Sequence, residues 1–364
     1  LFFLDVGMEQ VHERIDKLDL SVLYGDKFGY QYTYRLRHFL RAIVLTAASY
    51  SKSYSKHSDD HYVTQLASTY MHGLNFLMRP AKKGERVLEQ YNQGDINFVK
   101  SFWNLTELPV ATKFGAVVGA SVEVCRVLNI PSSSPISMPK VGGGEVSIAM
   151  FPDKDEMKAT CGPEYEAPTS IAARLISYRR LQGQEKEEDP EAAGRSPIAQ
   201  MQQMQLPPGL SWARKTRPAS PYLVVHFHGG GFIAQSSASH EVYLRDWAKG
   251  IDAPIISIDY GLAPEHPFPL AVEQSFYAYC WALKHAAELG STAESVICVG
   301  DSAGGNLAGV VALRCLEERV RPPSGVVMLY PALFLHDTPS PSRMISLMDP
   351  LLPLGTLQMC MYTY

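Results

Sequence analysis

Gly300-Asp301-Ser302-Ala303-Gly304 sets a serine between two glycines, each two residues away. A hydroxyl becomes an acyl-transfer nucleophile when a sharp turn lifts it clear of its neighbours and a base takes its proton. Bulky side chains at 300 and 304 would collide in such a turn, and glycine removes the collision. A helix opening directly after the serine would add free N–H groups for a developing oxyanion. A glycine-rich turn with an incidental serine competes with this reading when the pentapeptide is taken alone. A second string weighs against that bland alternative. His228-Gly229-Gly230-Gly231-Phe232 lies upstream of the serine. Three consecutive glycines let main-chain donors approach a substrate carbonyl, and each donor is worth a factor of ~100 or more in rate. Phosphate binding fits poorly, because neither GxGxxG spacing nor a following lysine is present. A third string, Asp259-Tyr260-Gly261-Leu262-Ala263-Pro264-Glu265-His266-Pro267-Phe268-Pro269, reads as a rigid structural turn.

Such residues need a buried sheet beneath them. Tyr222–Phe227, Pro254–Asp259, Ser295–Val299 and Gly325–Tyr330 are continuous apolar runs, with helical patterns between them at about 239–250, 271–289 and 303–319. Strands buried on both faces and alternating with helices predict an α/β domain with a mainly parallel sheet over 222–364. Residues 1–135 predict a mostly helical N-terminal domain. Its apolar stripes include Met8/Val11/Ile15/Leu18, Leu36/Phe39/Leu40/Ile43, Val63/Leu66/Tyr70/Leu74/Leu77 and Phe114/Val117/Val118/Val122/Cys125. Between them, 136–221 reads as a β-containing connection, with short runs at Val146–Phe151 and Ile171–Tyr178, and a polar linker from Gln182 to Pro221. Arg217-Pro218-Ala219-Ser220, a basic pattern with a serine, reads as linker rather than as a phosphorylation switch.

Composition narrows the partners. The 364 residues carry 33 Lys and Arg against 37 Asp and Glu, a net charge of −4, which argues against nucleic acid as a partner. No apolar run is long enough for a transmembrane helix. The six cysteines are scattered without CxxC pairs, so no metal site is expected and a reducing compartment fits best.

The strings H-G-G-G-F, D-Y-x-L-A-P-E-x-P-F-P and G-D-S-A-G-G-N, in this order from Tyr222 to Leu352, resemble the hormone-sensitive-lipase family of α/β-hydrolases. Upstream, Phe102-Trp103-Asn104-Leu105-Thr106-Glu107 and Arg174-Leu175-Ile176-Ser177-Tyr178 resemble the N-terminal domain of the family's animal members, where bacterial members have only a short cap. The resemblance implies an α/β-hydrolase fold and a serine esterase of lipid catabolism acting on acylglycerols and sterol esters, with no cofactor. It makes Ser302 the nucleophile and Ala303, Gly229, Gly230 and Gly231 the oxyanion donors. His228 anchors the loop, with Gly300, Asp301 and Gly304 supporting the turn. It further implies a homodimer, regulatory serine phosphorylation, and a cytoplasmic protein associating reversibly with lipid droplets or membrane surfaces.

The triad is expected to be incomplete. Its order in this fold is nucleophile, acid, histidine, so His228, upstream of Ser302, is not expected as the base. Residues 303–364 hold one helix, one strand and a proline-rich loop. Two further strand–helix units, each of roughly 30 residues or more, would carry acid and histidine. The chain is therefore expected to be an inactive fragment holding only the N-terminal part of the catalytic domain, and Leu1-Phe2-Phe3-Leu4 reads as the cut edge of an internal helix. Asp349-Pro350 reads as a helix start and His336-Asp337 as a solvated loop, neither as the missing pair. Two other classes remain open on the residues alone: a small-ligand receptor that kept the pocket and lost the histidine, and a non-catalytic lipid-droplet adaptor built on the helical half.

Overall fold

A computed structural model of the chain describes residues 33–57, 62–79, 82–87, 95–108, 111–112, 118–150, 158, 162, 165, 168–184, 216–336, 338, 340–341, 343, 349 and 352–364. It divides into two compact units, Leu1–Phe102 with His336–Tyr362, and Trp103–Leu335 with Thr363–Tyr364. The stripe at Met8–Leu18 lies outside the described residues.

In the first unit, α1 (Tyr34–His57) and α2 (Tyr62–Met78) are followed by α3 (Ile96–Trp103). Leu40, Val44, Ala48, Phe76 and Val87 form a small core. Not every apolar stripe is buried: Phe39, Val63, Tyr70, Leu74 and Leu77 are exposed among the described residues. α7 (Leu354–Thr363) also begins in this unit. Asp349 Oδ1 accepts Leu352 N–H at 3.0 Å just ahead of it, as a helix-start aspartate does.

The second unit is built on a six-stranded sheet. Its strands are β1 (Val124–Pro131), β4 (Ser170–Ser177), β5 (Ser220–Phe227), β6 (Ile255–Asp259), β7 (Ser291–Asp301) and β8 (Gly325–Leu329), in the order β1-β4-β6-β5-β7-β8. β6, β5, β7 and β8 run parallel, and β4 and β1 join antiparallel. A separate hairpin pairs β2 (Ile136–Pro139) with β3 (Glu145–Ile148).

The parallel strands take their shape from their sequence. Leu223 to Phe227 are buried without a break. Val224, Ile255, Ile176 and Val299 face Leu244 and Ala248 of α4 (Ser237–Ile251). Leu223, Val225, Phe227, Ile256, Ile258 and Cys298 face the other way, onto the core of α5 (Leu270–Lys284) and α6 (Ala303–Glu317). Helices on both faces of a parallel sheet exclude water from its inner strands, which selects mostly apolar runs there.

Two boundaries differ from the sequence reading. The helical region does not extend to 135, because Val124–Pro131 is a strand pairing with β4 over its whole length. Nor is 136–221 only a connection, because β4 lies inside the main sheet between β1 and β6. The domain carrying the catalytic motifs therefore takes strands from well upstream of 222. The cause is pairing: Val124, Val127 and Ile130 suit a pleated, half-buried surface, and that surface exists only once β4 lies beside them. The segment 185–215, most of the expected linker, lies outside the described residues.

Candidate active site

The chain passes from β5 to β6 on one side, then crosses to β7 on the other side of β5. In open α/β sheets the crevice at such a switch point, beyond the strand carboxyl ends, is where ligands bind. Phe227 pairs with Gly300, so β5 and β7 finish at the same level. Each strand leads directly into a motif: β5 into His228–Phe232, and β7 into Ser302.

Ser302 sits at φ 51°, ψ −117°, between β7 and the first residue of α6. An L-residue held there is strained, and such strain marks turns that the surrounding structure enforces. Its N–H donates to Leu329 O at 2.9 Å, and its carbonyl accepts Asn306 and Ala332 N–H, each at 3.2 Å. The glycines are required sterically. A Cβ on Gly300 would lie 2.2 Å from Gly304 O, and one on Gly304 would lie 2.0 Å from Phe227 O. Ala303, buried, opens α6, where N–H groups have no intrahelical acceptor.

The loop after β5 turns tightly, with Ile233 and Ala234 N–H both donating to Gly230 O at 3.1 Å. Gly230, at φ 114°, has no room for a side chain, since a Cβ would lie 2.0 Å from Ala234 O. Gly230 and Gly231 N–H find no protein acceptor among the described residues, which leaves them free for a substrate oxygen. Gly229 differs from that expectation. Its N–H is engaged by His240 Nε2 at 3.3 Å, because α4 brings His240 under the loop. Gly230, Gly231 and Ala303 remain as the candidate donors.

His228 anchors the loop less by its ring nitrogens than by stacking and through its carbonyl. The ring stacks on Tyr260 at 4.3 Å. Its carbonyl accepts the Tyr260 hydroxyl at 2.7 Å. Nδ1 lies 2.7 Å from Gly229 O, while Nε2 is buried without a partner. Burial pushes its pKa down to about 3, so the ring is neutral.

Behind the loop lies a polar cluster that sequence reading passed over. His226 bonds Ser257 Oγ at 2.8 Å and the Tyr243 hydroxyl at 3.1 Å. Tyr243 and Tyr330 donate to the two oxygens of Asp301 at 3.2 and 3.4 Å. His240 Nε2 lies 3.5 Å from Asp301 Oδ1. Burial works to raise the Asp301 pKa, but the neighbouring His240 and His226 and the Tyr243 hydroxyl outweigh it and hold it at about 2. The residue before Ser302 is thus a fixed anion tying β7 to β5 and α4. An alternating His-x-His at a strand end was the one available signal, and it pointed to no partner.

No imidazole among the described residues hydrogen-bonds the Ser302 hydroxyl. His226, His228 and His240 are buried in the cluster beneath the loop, and His336 bonds Thr338 Oγ1 at 2.7 Å. The arrangement places a strained serine turn level with a glycine loop whose Gly230 and Gly231 N–H groups have no protein acceptor among the described residues.

Comparisons with known proteins place the chain in a family. Residues 1–185 match a family model described as the hormone-sensitive lipase N-terminus, and residues 224–364 match one for the α/β hydrolase fold. The chain is 41% identical over 348 residues to hormone-sensitive lipase of Homo sapiens, covering 95% of this chain and 30% of that protein. It is 40% identical over 350 residues to the Bos taurus protein of the same name, covering 95% and 43%. Esterase LipI of Mycobacterium tuberculosis is 38% identical over 120 residues, 33% of this chain and 37% of that protein. A solved esterase from the archaeon Pyrobaculum calidifontis shares 23% identity and a TM-score of 0.48, covering 74% of this chain and 65% of that one. The chain thus spans less than half the length of the two hormone-sensitive lipases.

Proposed function

The chain belongs to the hormone-sensitive lipase family, with a lipase/esterase fold, and from that premise we propose that its full-length protein hydrolyses acylglycerols and sterol esters through an acyl-enzyme on Ser302. Ser302 Oγ attacks the ester carbonyl carbon while a base takes its proton. The carbonyl oxygen, now negative, accepts hydrogen bonds from Gly230, Gly231 and Ala303 N–H. Collapse expels the alcohol, which takes the proton, and water then releases the fatty acid by the same steps. The observation that carries this reading is the left-handed Ser302 turn set level with the glycine loop by the Phe227–Gly300 register.

The general base and acid are assigned to sequence outside these 364 residues, because no described imidazole hydrogen-bonds the Ser302 hydroxyl and the two hormone-sensitive lipases are more than twice as long as the matched stretch. The same reading makes the protein a cytoplasmic homodimer that visits lipid-droplet or membrane surfaces reversibly. No described helix is long and apolar enough to cross a membrane.

The test is hydrolysis of a short acyl ester and a diacylglycerol by the full-length protein and by its Ser302→Ala variant. The reading expects activity on both in the first and none in the second. Undiminished hydrolysis by Ser302→Ala would overturn it.

A further inference from the structure

One sequence motif is not used by this mechanism: Asn104 to Glu107, a 3-10 turn far upstream of the nucleophile. It meets the oxyanion loop at its downstream end. Asn104 Oδ1 accepts Gln235 N–H at 2.8 Å. Glu107 Oε1 accepts the Ser236 hydroxyl at 2.6 Å. We infer that Asn104 and Glu107 are positioning residues that clamp the glycine loop in its oxyanion-binding shape, so that the N-terminal segment acts directly on transition-state binding. The inference rests on the esterase reading above.

The loop is held at two ends. Upstream, β5 pairing and the Tyr260 hydroxyl on His228 O fix its start. Downstream, the chain must leave a tight turn and enter α4, and it does so through strained backbone. Phe232 and Gln235 both have positive φ, 63° and 70°. A non-glycine residue there is held against its preference, so an outside contact must retain it. Asn104 supplies that contact to the backbone of Gln235 itself.

Glu107 acts on the next residue. Ser236 is the N-cap of α4: its Oγ accepts Ala238 N–H at 3.2 Å while donating to Glu107. One hydroxyl hydrogen and a lone pair are thereby both assigned. The Ser236 carbonyl lies 3.0 Å from His240 Nδ1. A proton on Nδ1 leaves Nε2 as the acceptor for Gly229 N–H. The clamp therefore reaches the donors by two routes, along the turn from Gln235 back to Gly230 and through His240 to Gly229. Asp259 secures the same helix start on its other side, accepting Ser237 N–H at 2.5 Å and the Ser237 hydroxyl at 2.9 Å.

Oxyanion donors act on the transition state more than on bound substrate, so displacing them lowers kcat and leaves KM nearly unchanged. The experiment is steady-state hydrolysis of a short acyl ester by the full-length protein. Variants are Asn104→Ala, Glu107→Ala, Ser302→Ala and, within the same turn, Thr106→Ala, whose hydroxyl donates to Trp103 O. Asn104→Ala and Glu107→Ala are each expected to lower kcat by about tenfold with KM within about twofold. Thr106→Ala is expected to match the parent. Asn104→Asp and Glu107→Gln keep the accepting oxygen and are expected to restore kcat to within about threefold of the parent. If either alanine variant does not fold, Asn104→Ser and Glu107→Asp shorten the reach instead and carry the same expectation. Unchanged kcat, a rise confined to KM, or no rescue by Asp and Gln, with Ser302→Ala inactive, would overturn the clamp and leave the esterase reading standing. Hydrolysis that survives Ser302→Ala, or no ester hydrolysis by the parent, would overturn both.

Discussion

At the scale of single residues, the site depends on imidazoles kept neutral and a carboxylate kept charged. Burial holds His226 well below its usual 6.5 and His228 at about 3. Between 3 and 6.5 the unfolded chain binds protons on His228 that the native chain does not. The stabilisation is therefore complete above pH 6.5 and lost as pH falls toward 3, at up to about 1.4 kcal/mol per pH unit for each such histidine. Asp301, depressed to about 2, adds stability that is present above its ordinary 3.8 and lost only below that. Urea midpoints measured from about pH 7 to about pH 4 are expected to fall steeply, and His228→Gln is expected to flatten that slope while lowering stability overall. An unchanged slope would contradict the assignment. Asp301→Asn turns one acceptor oxygen toward hydroxyl donors into a donor, and is expected to cost about 1–3 kcal/mol in the same urea titration. The glycine and serine turns were legible in sequence because turn sterics are local. His240 was not legible, since only the packing of α4 against β5 brings it under Gly229.

At the scale of elements, β5 and α6 approach so closely that a glycine is part of the interface. Gly304→Ala would drive a Cβ to 2.0 Å from Phe227 O and 2.5 Å from His228 O. Backbone cannot step aside as a flexible side chain can, so the expected loss is about 3 kcal/mol or more. Gly250, near the end of α4, meets nothing within 4 Å. Gly250→Ala is expected to be neutral or to stabilise by up to about 1 kcal/mol. Denaturant unfolding of the pair checks both, and equal effects would count against the close-approach argument. β8 pairs only with β7 among the described residues, and Val327 and Met328 on it are exposed. An open apolar edge favours self-association, so light scattering by residues 1–364 is expected to rise with concentration and to fall in Val327→Lys. β5 and β6 were readable because burial on both faces leaves a continuous apolar run. β1 was not, because its run at Val124–Pro131 continues a helix-spaced stripe and only pairing with β4 identifies it.

At the scale of the whole molecule, the chain carries the two motifs proposed for acyl transfer on a sheet that draws strands from both sides of residues 185–215. The proton acceptor is assigned elsewhere in the full-length protein, so residues 1–364 alone are expected to hydrolyse esters far more slowly. Removing triad members deletes most of the catalysis while an oxyanion hole leaves a residual rate. Acylation of Ser302 is the claim on which the rest depends. Incubating the full-length protein with a fluorophosphonate and mapping the adduct by peptide mass tests it most directly. The account predicts one phosphonyl group, on the peptide containing Ser302, and no labelling of Ser302→Ala. Equal labelling of Ser302→Ala, or an adduct on any other residue accompanied by loss of activity, would contradict it.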